Sequence, residues 1–169
     1  MFWVIFLTVA TGMRSMTPIA VVCWAASLGW LPVEHTWAAW TASRVSVIVF
    51  TVLALGEYVG DTSPKAPYRT EAFPLAARLC FAMLVGLVSA AALDQPKAGG
   101  IVLGLVGALI GAYGGVALRL RCSARLQRDL PVALTESAAA LAMSVFAVWH
   151  LHREVLTALH RTLLLGRTM

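Results

Sequence analysis

Apolar residues fall in about five long runs, separated by short polar or proline-rich stretches, and together the runs take up most of the 169-residue chain. They are continuous, rich in Ala, Leu and Gly, and lack sustained alternation of apolar with polar positions, a pattern that predicts helices rather than strands. The first run, residues 2–30, exceeds the roughly 20 residues that cross a bilayer. Its middle reads Gly12-Met13-Arg14-Ser15-Met16-Thr17-Pro18, so a glycine, a charge and a helix-breaking proline stand where a simple span would be most apolar. This predicts a broken or re-entrant helix. Further runs cover about residues 44–59, 74–93, 99–120 and 131–148, with Pro131 suited to a first helical turn. The prolines of the 62–70 segment forbid a helix there. Beyond residue 150, Leu151, Val155, Leu156, Leu159, Leu163 and Leu164 alternate at helical spacing with His152, Arg153, His160 and Arg161. That pattern fits an amphipathic helix on a membrane surface, and equally a polar extension of the last span. The expected architecture is therefore an all-α, polytopic bundle of about five spans, with residues 1–150 as one transmembrane domain and 151–169 as a tail.

Composition sharpens this reading. The chain is 60% hydrophobic and 12% charged, against roughly a quarter charged in soluble domains, which leaves too little polar sequence to coat a water-facing surface. No Lys or Arg precedes the 2–13 run and no small-x-small site closes it, so this segment is expected to stay in the fold rather than be cleaved as a signal. Cys23, Cys80 and Cys122 lie in or beside apolar runs without pairing or metal spacing, and inert packing is their expected role.

The formal charge of +5 then concerns topology and anionic head groups rather than nucleic acid. Lys65, Arg69 and Arg78 are assigned to the connection between the second and third runs, and Arg119, Arg121, Arg125 and Arg128 to that between the fourth and fifth. Both belong on the cytoplasmic side of the membrane by the positive-inside rule, with the second cluster also contacting lipid. The C-terminal arginines Arg153, Arg161 and Arg167 then face outward, against the rule.

Ionisable residues inside membrane segments are costly to bury and are read as functional by default. Arg14, Glu57, Asp61 and Glu136 are the candidates. Glu57 and Asp61 share a face if the helix continues, and repel unless a cation lies between them. One reading pairs Arg14 with Glu57 to fix helix register, with Asp61 solvated. The other makes the four residues the lining of a polar cavity for an ion or small polar solute. Gly100, Gly104, Gly107, Gly111 and Gly115 form a bare stripe for close helix packing, used either between copies of the chain or within one. A weak echo, Gly12 and Arg14 before a Glu57 helix, Gly114, Gly115 and Arg119 before a Glu136 helix, suggests an inverted repeat with a second broken helix.

The usual motifs of ATP-driven transport, zinc proteolysis, serine hydrolysis and thiol redox chemistry are absent, so no enzyme, cofactor or metal is expected. His150, His152 and Glu154 could form a metal or acid–base cluster, but at a span edge they read better as interfacial anchors.

Four motifs resemble, in order, those of a group of small bacterial membrane proteins classed as domain of unknown function 4126. They are Gly12-Met13-Arg14-Ser15-x-x-Pro18, Glu57-x-x-x-Asp61-x-x-Pro64, the glycine-rich 111–119 segment ending in Arg119, and Leu130-Pro131-Val132-Ala133-Leu134-Thr135-Glu136. The resemblance covers roughly residues 10–145 and implies an inner-membrane location without assigning an activity. It also implies that Arg14, Glu57, Asp61 and Glu136 belong to one design. An acidic pair often follows the last motif in that family; here Glu136 is followed by Ser137, which weakens a metal site built there. The expected function is a small transporter or channel-like protein, the alternative a membrane scaffold or accessory subunit with structural ion pairs.

Overall fold

The computed structural model describes residues 1–60, 72–126 and 129–166, and every regular element among them is helical. In chain order these are α1 (Phe2–Met13), α2 (Met16–Ser27), a 3-10 turn (Trp37–Ala42), α3 (Arg44–Gly60), α4 (Ala72–Ala92), α5 (Lys97–Leu126) and α6 (Asp129–Gly166). Stretches of α4, α5 and α6, namely Pro74–Ala92, Lys97–Leu118 and Leu134–Arg161, are long and apolar enough to cross a membrane. The outer faces of the bundle carry bare apolar side chains, among them Ile48, Val52, Val102, Ile110, Leu134 and Phe146. A water-soluble monomer rarely leaves so much apolar surface uncovered. This is a membrane protein.

The first apolar run is two helices of 12 residues each. Arg14 adopts an extended conformation (φ −139°, ψ 112°) that ends α1. Pro18 sits in the first turn of α2, where its missing N–H is no loss because the first N–H groups of a helix have no intrahelical partner. The two helices do not continue one another. The start of α1 lies against the later part of α6, where Trp3 stacks on His150 (centroids 3.9 Å apart) and the N-terminal ammonium is 3.4 Å from Glu154. Trp30, just past α2, meets that same stretch: its ring packs on Trp149 and its carbonyl is 2.9 Å from His152 Nδ1. The pair is therefore a hairpin that enters and leaves at one end of the bundle. At 1.5 Å per residue its tip, residues 13–16, reaches about 18 Å inward.

The other helices pack around it. α3 descends beside α2, with Trp24 Nε1 donating to Thr51 Oγ1 (3.1 Å). The return at the end of α2 closes with Trp30 N–H to Ala25 O (2.8 Å), Gly29 supplying the left-handed φ of +73°. α4 rises, and Asp94 (φ +51°) makes the same kind of closure before α5 descends, with Gln95 N–H on Ala90 O (2.9 Å).

The glycine stripe of α5 is consumed inside this chain. A Cβ on Gly100 would strike the Gly86 carbonyl of α4, one on Gly104 would meet Ala82 O at 2.7 Å, and on Gly107 and Gly111 it would collide with Thr8 and Val9 of α1. Gly115 is buried on the same helix. The stripe thus gives no surface for pairing copies of the chain, because α1 and α4 already occupy it. Thr8 turns this approach into a bond, its hydroxyl donating to Leu103 O at 2.9 Å.

One expectation is corrected, and one pair of alternatives is decided. α5 is continuous through Gly114 and Gly115 to Leu126, so the second half lacks the broken helix an inverted repeat requires; two glycines without a following proline leave the hydrogen-bond ladder intact. α6 runs unbroken from Asp129 to Gly166, so the segment after residue 150 extends the last long helix.

Single cysteines placed at Leu28, Gln95 and Gly60, in a background lacking Cys23, Cys80 and Cys122, test the hairpin: a membrane-impermeant thiol reagent should label the first two from one face and the third from the other. Opposite faces for Leu28 and Gln95 would exclude it. For the packing, Gly111→Val should destabilise by about 1–3 kcal/mol through overpacking, whereas Gly114→Ala, on a helix position with open space around it, should stabilise by roughly 0.5–1 kcal/mol. Thermal unfolding in detergent reads both.

Candidate functional site

Breaking a helix inside a bundle exposes two sets of unsatisfied backbone groups, carbonyls at the end of α1 and N–H groups at the start of α2. Their partial charges are opposite, negative at the first and positive at the second. Charged side chains from two other helices answer them. Glu57, at the end of α3, accepts from Ser15 N–H with Oε1 and from Met16 N–H with Oε2, both at 2.9 Å. Arg78, one turn into the apolar part of α4, donates from Nη1 to Gly12 O (2.7 Å) and Met13 O (2.6 Å). Its Nη2 lies 4.0 Å from Glu57 Oε1. Carboxylate on the positive helix end, guanidinium on the negative one and an ion pair between them make one closed circuit across the tip.

Arg14 stands at the turn itself, 1% exposed, its guanidinium carbon 5.4 Å from the centre of the Tyr58 ring, within cation–π range. The Tyr58 hydroxyl in turn shares a 2.8 Å hydrogen bond with Thr17 Oγ1. Glu136, 7% exposed on α6, comes within about one turn of the tip level by the rise from His150. Buried Arg14 and Arg78 and partly buried Glu57 thus meet at the tip, with buried Glu136 on α6 near the same level.

Arg14 and Glu57 both lie at the tip, yet the cation of Glu57 is Arg78 rather than Arg14. Arg78, expected in the loop before α4, is 5% exposed within that helix. The signal that marks it is the one that marked Arg14, a charge inside an apolar run. Asp61 and Arg128 lie outside the described residues. Arg119, Arg121 and Arg125 stand on the last turns of α5, with Arg121 exposed.

His150, His152 and Glu154 hold the two outer ends of the hairpin, through Trp3, Trp30 and the N-terminal ammonium. Among the described residues no three of His, Cys, Asp or Glu come together as a metal cage. Comparison with protein-family models, curated proteins and solved structures finds no match to this chain.

Removing one member of a buried pair strands the other charge, a loss of about 3–5 kcal/mol. Arg78→Leu is expected to destabilise on that scale, Glu57→Gln by less because an amide oxygen still accepts one N–H, and the double variant by less than the sum of the two. A thermal melt of Arg78→Leu coinciding with wild type would refute the circuit.

Proposed function

We propose that this is a small transporter or channel-like protein of a bacterial inner membrane, handling an ion or small polar solute at the hairpin tip. The observation that carries the reading is the hairpin itself, whose broken ends and buried charges meet deep inside an apolar bundle. Non-helical backbone at membrane depth is tolerated only where protein or a water-filled cavity surrounds it. Half-helix ends at that depth are a recurrent device for holding ions. In the arrangement we favour, α3 to α6 cross the membrane and α1–α2 forms a re-entrant pair, so the chain contributes four crossings and one hairpin in place of five spans. The positive-inside rule then sets Lys65, Arg69 and the Arg119–Arg128 cluster in the cytoplasm and both outer ends of the hairpin on the opposite face. The inner-membrane location is what the resemblance to the domain of unknown function 4126 proteins implies.

Chemically, the tip offers two opposite sites that are now filled by the protein's own groups. Withdrawal of Glu57 would leave two N–H donors and Arg78 facing an anion; withdrawal of Arg78 would leave carbonyls and Glu57 facing a cation. The closed circuit is accordingly read as the resting state. The completeness of that circuit favours a second reading, a membrane scaffold whose buried pairs only fix the fold.

Proteoliposome flux across a panel of ions and small polar solutes separates the two. A transport site requires wild-type flux that falls at least tenfold in Glu136→Gln or Glu57→Gln protein that still melts as a folded species. Absence of wild-type flux across the whole panel would leave the scaffold.

A further inference from the structure

Between α2 and α3 lies a groove of about 550 Å³, remote from the tip and open to the side of the bundle. Its walls are Trp24 and Ser27 of α2 and Arg44, Val47, Ile48, Thr51 and Val52 of α3. The polar groups are not spread evenly. Ser27 and Arg44 stand at the end where α2 finishes and α3 begins, near the level of Trp30, Trp37 and Trp40, whose amphipathic rings suit the head-group region. Further in, the surface is apolar, and the two polar atoms there satisfy each other, Trp24 Nε1 donating to Thr51 Oγ1. No acidic residue lines the groove. Arg44 is exposed and forms no ion pair or side-chain hydrogen bond with any described residue.

This polarity has a matching occupant. A guanidinium at the membrane surface suits a phosphate, Ser27 Oγ already donating to Trp24 O at 2.8 Å, and an apolar trough leading from it towards the bilayer centre suits an acyl chain. The side opening is flanked by the bare Val45, Ile48, Val49 and Val52, so a ligand would enter from lipid rather than from water. We propose that the groove between α2 and α3 binds an anionic diacyl phospholipid, its phosphate on Arg44 and one chain along Val47, Ile48 and Val52. The proposal rests on the membrane setting of α2 and α3 and is independent of any transported solute. It also has a mechanical sense: the lipid would fasten at the outer end the same two helices that Glu57 joins at the tip.

The test is native mass spectrometry of the detergent-purified full chain after exposure to equal amounts of phosphatidylglycerol and phosphatidylcholine. Wild type should retain the anionic lipid by about fivefold over the zwitterionic one, the effect of a single basic side chain beside anionic lipid. Arg44→Gln should bring the ratio close to one, and Arg153→Gln, an exposed cation at the same end but outside the groove, should leave it unchanged. Ile48→Trp with Val52→Trp, both at exposed positions, should reduce retention of both lipids by filling the trough. Equal retention by wild type, an undiminished preference in Arg44→Gln, an equal loss in Arg153→Gln or full retention in the tryptophan variant would each overturn the site.

Discussion

A helix that stops partway through an apolar bundle leaves several backbone carbonyls and N–H groups in a medium that offers them no water. Each such group left bare costs as much as a lost hydrogen bond, and more at low dielectric. The α1–α2 hairpin exists because Glu57 and Arg78 remove that cost with four hydrogen bonds to residues 12–16. Their charges carry the right sign for the helix end each one meets, so the bonds and the dipoles act together. The pair also neutralises itself across 4.0 Å, which allows two ionised side chains to be buried without leaving net charge behind.

Glycine makes the geometry reachable. Arg78 can touch α1 only if α4, α5 and α1 lie unusually close, and the meeting of Gly86 with Gly100 and of Gly107 and Gly111 with Thr8 and Val9 brings their backbones together. In a membrane, where apolar side chains gain little by leaving lipid, such backbone proximity is a main source of helix association. At the other end, the aromatic contacts of Trp3 and Trp30 with His150, Trp149 and His152 keep the hairpin from splaying. Polar chemistry thus secures the tip, and stacking secures the open end.

The helices and the break between Gly12 and Pro18 were legible in the sequence because apolar runs and proline act locally. Whether α2 continued α1 or turned back was not, since that depends on Glu57, Arg78 and residues 149–154, all distant along the chain. Glu57 stood out as an intramembrane charge, but its partner was misjudged. Arg14 lies in the broken segment itself, whereas Arg78 sits close enough to a proline-rich connection to pass for a loop residue. The echo at Gly114–Arg119 misled for a related reason: glycines alone soften a helix, and without a proline or an external carboxylate to cap a new start, nothing rewards breaking it. The stripe on α5 announced close packing without saying with what.

The hairpin lies ahead of everything that holds it. During synthesis, α1 and α2 emerge before Glu57, well before Arg78 and the glycines of α5, and longest before His150 and His152. Each is too short to cross a bilayer alone, so the hairpin has its full set of partners only once α6 has been made. Assembly of this chain consequently runs against translation at one point: the later helices form the socket, and the hairpin made before them settles after them.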